Sequence, residues 1–212
     1  MDYPPEYLRM LEDSTALLTE NRCVFHAAAL LWHGRALLFT APSGMGKTTQ
    51  YVLWKLTYPE VKLLNIDKPY IYIPEEGEIM IEPSPWTGKE TWLKSAVDYP
   101  VPLGGVVFLV KAEENSVRPR TPEECAADLF RAFLIDRSNP GAVEKVCRMA
   151  ERLLDRTPIW LFANRGDYAS PVVLHDALEA TFAAYERYEG GDVKGGGSDS
   201  DESHRPYAGI KP

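Results

Sequence analysis

The stretch FTAPSGMGKTTQ, residues 39–50, limits what this chain can fold into more than any other. The apolar run Ala36 to Thr40 feeds straight into it. From Lys47 to Leu56 there is neither Gly nor Pro, and Tyr51, Leu53 and Trp54 recur at helical spacing. The local order is therefore strand, tight glycine loop, helix, which belongs in a sheet with helices packed on it. The pattern reads A-x-x-x-x-G-K-T, with Ala41 where the strict phosphate-loop motif has Gly. Gly44 and Gly46 let successive backbone N–H groups turn inward, and a helix beginning near Lys47 adds the positive end of its dipole. A polyphosphate in such a loop would touch Ser43, Gly44, Met45, Gly46, Lys47, Thr48 and Thr49. Lys47 would neutralise its charge, and the Thr48 hydroxyl would offer Mg²⁺ an oxygen. The plainer alternative, a turn with a surface lysine, is disfavoured by the strand and helix on its two sides.

The remaining chain alternates between strand and helix signals. Cys23 to Trp32 reads as one apolar strand, joined to Ala36–Thr40 by a tight turn at His33-Gly34-Arg35. Val61 to Ile66 is a further apolar run ending at Asp67, and Tyr70–Ile73 with Ile79–Ile81 flank Glu75-Glu76-Gly77 as a hairpin. Gly105 to Val110 is short, β-branched and reads as a buried strand. Thr121-Pro122-Glu123-Glu124 opens a helix to about Ile135, Pro140 opens another to Leu154, Pro158–Ala163 is a late strand, and Pro171–Tyr188 a last helix. Residues 1–188 are thus expected to be a single domain. From Glu189 the chain is rich in Gly, Ser and Asp and reads as a disordered tail, its GGGS run being of the kind that joins an appended peptide.

A net charge of −8 over 212 residues repels nucleic acid and anionic membranes, so neither is expected as a partner. The start lacks a basic segment followed by a long apolar run, and a cytoplasmic location is expected. Cys23, Cys125 and Cys147 are far apart, so neither a disulfide framework nor a zinc knuckle is expected, and the four histidines are scattered.

Among phosphate-loop proteins, a transporter ATPase needs a sequence like LSGGQ, which is absent. A small GTPase needs D-x-x-G and N-K-x-D. Asn164-Arg165-Gly166-Asp167 imitates the second, but Asp67 is followed by Lys68-Pro69-Tyr70 with no glycine, so a polar turn is the favoured reading. The ordered set HAAALLWHGRALLFTAPSGMGKTTQYVLW, LLNIDKP and PWTGKE instead resembles the HPr kinase/phosphorylase-like P-loop proteins, which are related in fold to phosphoenolpyruvate carboxykinase. It is most similar to the short members associated with peptide-modification gene clusters. The resemblance runs from about Phe25 to Leu178 and takes in PVPLGGVVFLVKAEENSV and PIWLFANRGD. It implies an α/β fold, a P-loop-containing mixed sheet flanked by helices, and an ATP- and Mg²⁺-dependent kinase. The acceptor would be a hydroxyl, plausibly a serine of a small protein or precursor peptide, and the assembly a homo-oligomer. The chain departs from the family in two places. The residues before Cys23 are too few for the family's N-terminal domain, and Asn65-Ile66-Asp67 stands where two adjacent acids are common, which makes HPr itself a doubtful substrate. A small-molecule kinase of the same fold, or a nucleotide-binding regulatory module without turnover, are the alternatives.

Asp67 lies at a strand end where a returning strand would bring it beside the loop, as a Mg²⁺ ligand or as the acceptor of a hydroxyl proton; the same position suits an ordinary turn residue. His26 alone reads as a core histidine. The resemblance implies a contact with Asp67 or a phosphate oxygen and makes Asp67, Lys47 and His26 the catalytic set, with Thr48 and Asp67 on the metal. Lys68 and Lys89 would supply charge to the transferred group, although exposed lysines are more often merely solvated. Within PWTGKE, Gly88 would permit close backbone approach and Trp86 would wall the acceptor site; Trp86 and Trp92 also suit core or lid packing.

Overall fold

The structure, a computed structural model, describes residues 3–88 and 92–179. Lys89, the tail from 189 and the second half of the expected last helix lie outside these residues.

Strand β3 (Arg35–Thr40) is buried at every position, because it runs between β2 (Ala28–Trp32), antiparallel, and β7 (Val101–Lys111), parallel. Its side chains alternate between two cores. Ala36 and Leu38 face one that contains Cys125, Leu129, Val146 and Met149 from α3 (Pro122–Ala132) and α4 (Pro140–Arg156). Leu37 and Phe39 face another, which holds Trp54 of α2 (Lys47–Thr57) and Leu174 and Leu178 of the helical segment 170–179. The protein is therefore a mixed sheet covered by helices on both faces. Period-2 alternation with both sides apolar is the expected signature of such a strand.

The sheet folds over at β7. The last half of β7 pairs with β10 (Ile159–Asn164) in parallel, and β10 carries β8 (Ser116–Pro119) at one edge; β4 (Lys62–Asn65) lies beyond β2 at the other. The first residues of β7 pair with β6 (Met80–Glu82), which leads through β5 (Tyr70–Tyr72) and β1 (Arg22–Phe25) to β9 (Phe133–Leu134). Gly105 leaves room for the Trp160 side chain of β10: a Cβ there would lie 2.3 Å from the Trp160 ring. The parallel strands β3, β7 and β10 end on one edge, where ligands of open α/β sheets bind.

Several boundaries differ from expectation. The run Cys23–Trp32 is not one strand. It breaks at His26-Ala27, because β1 pairs with β5 and β9 whereas β2 pairs with β3 and β4. The β2–β3 turn has two residues, His33 and Gly34, at φ 47 and 72, the left-handed pair that matches strand twist. Helix α3 stops at Ala132, three residues short of the expected end, because Phe133 and Leu134 pair with Phe25 and Val24 instead. Its start is as read: Thr121 and Glu124 form a reciprocal capping box. Helix α1 (Pro5–Ala16) was not expected from the sequence; it docks through Met10 and through Ser14, whose hydroxyl accepts the Val24 N–H at 2.8 Å.

Candidate functional site

Beyond Thr40 the chain turns through Ala41–Gly46 into α2. Gly44 and Gly46 take φ of 82 and 103, a backbone region closed to most L side chains, and Gly46 is the residue at which α2 starts. The amides of Lys47, Thr48 and Thr49 lie in the first helical turn, where no preceding carbonyl of the helix can accept them. The Lys47 side chain, 7% exposed, folds back over the loop. Its Nζ donates to the Ala41 carbonyl at 3.0 Å and stands 3.0 Å from His26 Nε2.

His26 reaches that point because the chain changes sheets there. The β4-to-β5 connection does so beside it, and the two breaks bond to each other: Ala27 N–H to Asp67 O at 3.0 Å and Phe25 N–H to Pro69 O at 2.9 Å. The crossing places His26 Nε2 3.3 Å from Asp67 Oδ1, while Asp67 Oδ2 meets Lys68 Nζ at 3.0 Å. Burial pushes the Asp67 carboxyl upward. The hydrogen bond from His26 and the charge and hydrogen bond of Lys68 outweigh it, and the carboxyl is held at about 2. One nitrogen, His26 Nε2, faces both Lys47 and Asp67. It accepts from the first only when unprotonated and donates to the second only when protonated.

Asn65 is the residue that sequence reading missed. Its Oδ1 accepts the amides of Asp67 at 2.9 Å and Lys68 at 2.7 Å, and its Nδ2 donates to the Ser84 hydroxyl and the Trp86 carbonyl, each at 3.2 Å. One side chain thus fixes both the carboxylate turn and the loop over it. The signal was present in Asn65-Ile66-Asp67, since an Asn that bonds the amide two residues on is a recurrent turn. Gly88 closes the arrangement: a Cβ there would fall 3.0–3.1 Å from Asp67 Cβ, Cγ and Oδ2.

These groups line a cavity of about 650 Å³. It brings together His26, Ser43, Gly44, Gly46, Lys47, Thr48 and Thr49 with Asp67, Lys68, Trp86 and Gly88. Met45 does not line this cavity but a second one across the loop, of about 740 Å³. Lys89 lies outside the described residues. Glu6, Tyr7 and Met10 of α1 form a wall that sequence reading did not anticipate. Trp86 lines the same cavity, and its indole N–H is buried without a partner. Trp92 is 70% exposed.

Among the described residues there is no group of three His, Cys, Asp or Glu side chains able to hold a metal ion. A Mg²⁺ bound mainly by phosphate and water needs no such group. One hydroxyl and one carboxylate, as Thr48 and Asp67 would provide, fit that donor set. The Asn164-Arg165-Gly166-Asp167 turn is structural. Asn164 accepts from Gln50 and donates to Val110 O, each at 3.0 Å, tying α2 to β10, while Asp167 Oδ1 accepts from Asn115 at 2.9 Å and from the Ser170 amide at 3.1 Å. No helix of the described residues is long and apolar enough to cross a membrane.

No family model and no curated protein matches this sequence. Among solved structures the chain is similar to an Hpr(Ser) kinase/phosphatase from Coxiella burnetii, at 14% identity and a TM-score of 0.43, covering 80% of this chain and 96% of that one.

Proposed function

We propose that this protein is an ATP- and Mg²⁺-dependent kinase of the HPr-kinase-like type that transfers a γ-phosphoryl group to a hydroxyl, the acceptor being a serine of a small protein or precursor peptide. The observation that carries this reading is the convergence of Asp67, His26 and Lys47 in the cavity whose wall is the glycine loop. Phosphoryl transfer asks a protein mainly for positioning and for positive charge on the transferred oxygens. Lys68 lies against the carboxylate and Lys47 against His26 beside it, and both supply that charge; bound Mg²⁺ would add to it by neutralising the phosphates. Asp67 orients the acceptor O–H and takes its proton as the new O–P bond forms and ADP leaves. A carboxylate held at about 2 is fully ionised at neutral pH, and its weak basicity makes the proton move late, in keeping with a loose transition state. His26 holds the carboxylate on its Oδ1 side.

The test is labelled ATP with Mg²⁺ and synthetic peptides from small open reading frames neighbouring the gene. Asp67→Asn should lower transfer about 10²–10⁴-fold, the range for loss of an acid–base group, and leave ATP affinity within about threefold. Binding without transfer to any acceptor in the wild type would identify a regulatory module and reject the kinase.

A further inference from the structure

A third cavity, of about 550 Å³, lies between α3 and strands β7, β8 and β10. Its lining is mostly apolar, with Phe108, Leu109 and Leu161 from the strands and Met45 from the glycine loop. Three guanidinium groups also line it, those of Arg118, Arg120 and Arg131, with Asp128 as the one carboxylate. In a chain of net charge −8 this is a local excess of the opposite sign.

The arginines gather where an edge strand meets a helix. Strand β8 runs antiparallel to β10 with Arg118 opposite Leu161, and the turn after it caps α3. Arg118 makes two bonds of 2.9 Å to Glu124, which does not line the cavity. Arg120 and Arg131 share Asp128: the first meets Oδ2 at 3.1 Å and the second Oδ1 at 2.8 Å. Two acids thus balance three cations. Arg120 is the fixed member, its side chain 10% exposed and its guanidinium 4.8 Å from the centre of the Phe108 ring. Arg118 and Arg131 are 53% and 68% exposed, and ion pairs of such exposure are weak enough to be exchanged for a ligand's carboxylate. A guanidinium matches a carboxylate with two parallel hydrogen bonds, and an apolar lining with a few convergent polar groups is the usual make-up of a ligand pocket.

We propose that this cavity binds a carboxylate borne on an apolar body, either an acidic residue of a peptide or a free organic acid, with the carboxylate on Arg131 and Arg118 and the body against Met45 and Leu161. The site does not depend on the kinase reading. A sugar or a polyphosphate would set hydroxyls or charge against the apolar lining and is disfavoured.

NMR titration of the isotope-labelled full chain with phenylacetate and its neutral counterpart, phenylacetamide, tests it. Phenylacetate should bind with a Kd of about 1–10 mM, the range for a ligand of this size, and shift the amides of Leu109 and Ala132. Phenylacetamide should bind about tenfold more weakly, having lost a charge-assisted hydrogen bond. Arg131→Gln should weaken phenylacetate about three- to tenfold and leave phenylacetamide unchanged. The exposure of Arg131 lets that variant keep the fold, which an unchanged melting curve verifies. Equal binding of acid and amide overturns the proposal, as does an Arg131→Gln variant that binds phenylacetate like the wild type. So does a titration to about 50 mM that shifts no amide of the cavity, or only those of the glycine loop. Serine peptides carrying Phe-Glu or Phe-Gln separate the two sources. Displacement of phenylacetate by the Glu peptide alone assigns the site to a peptide's acid, and displacement by neither assigns it to a free acid.

Discussion

Replacing Gly88 by Ala perturbs the candidate site through a single methyl group. The added Cβ would lie 3.0 Å from Asp67 Cβ and 3.1 Å from both Cγ and Oδ2, whereas ordinary contacts begin near 3.4 Å. Gly88 has no positive φ, so alanine is not strained by its backbone and the effect is steric alone. Asp67 cannot retreat freely, being bonded through its carboxylate to His26 and Lys68 and through its amide to Asn65. The carboxylate must yield by about 0.3–0.5 Å at a cost of about 1–2 kcal/mol, the lower part of the overpacking range. For a domain of this size that lowers Tm by about 2–8 °C. If a 1 Å misplacement costs about a hundredfold in rate, this shift costs about five- to tenfold in kcat. The loop residues that would touch phosphate are not involved, so ATP affinity should stay within about twofold by the independence expected of separated sites. A thermal-melt cycle isolates the contact. Asp67→Ala deletes Cγ and Oδ2, two of the three close atoms, so adding Gly88→Ala in that background should cost less than half as much. An equal loss of Tm in both backgrounds would refute the steric argument.

Acid should reveal the Asp67 network. Its folded value of about 2 lies below the model-peptide value of 3.8, so the stabilisation is complete above the latter and is lost as pH falls through the former. The difference corresponds to about 2 kcal/mol, and the stability gap between wild type and Asp67→Asn in urea melts should narrow between pH 4 and pH 2. A gap that does not change with pH would contradict it. At Gly105 the intrusion is far larger: a Cβ 2.3 Å from the Trp160 ring, in a position walled by two parallel neighbours, should cost about 3 kcal/mol or more and lower Tm by about 6–12 °C. Trp160→Leu in the same chain should restore part of that loss, and no restoration would place the strain elsewhere.

What the sequence revealed follows the range of the interactions concerned. The glycine loop, the capping box at Thr121 and the hairpin around Glu75–Gly77 are set by neighbours within a few residues and were legible. The split of Cys23–Trp32 was not. An apolar run looks the same whether its residues all join one ladder or change partners midway, and the partners of β1 are 46 to 110 residues away. The same reason hid β9, whose two residues directly continue the helical pattern of α3 and are made a strand only by pairing with Val24 and Phe25. The α1 wall of the cavity was missed although Tyr7, Met10 and Leu11 recur at helical spacing, because Ser14 stands where the apolar stripe would continue.

The change of partners also explains why His26 and Asp67 can be held so close. Where a strand leaves one ladder for another, its amides and carbonyls would be orphaned at a cost of about 1–3 kcal/mol each if buried. Here the two breaks satisfy each other through Ala27 to Asp67 and Phe25 to Pro69, and the His26 amide bonds Ala132 O at 2.7 Å. The side chains at the crossing are thereby carried by backbone fixed on several sides, not by a free loop. Rigid support of this kind is what a carboxylate needs if hydrogen bonds from His26 and Lys68 are to outweigh its burial. The opposite wall is built otherwise. Trp86 is held by the Asn65 and Ser84 side chains and Thr87 by Lys68, and α1 reaches the cavity with exposed Glu6 and half-buried Tyr7. On the proposed kinase reading, the phosphate side of the cavity would be built on the sheet and the acceptor side on a loop and a helix outside it.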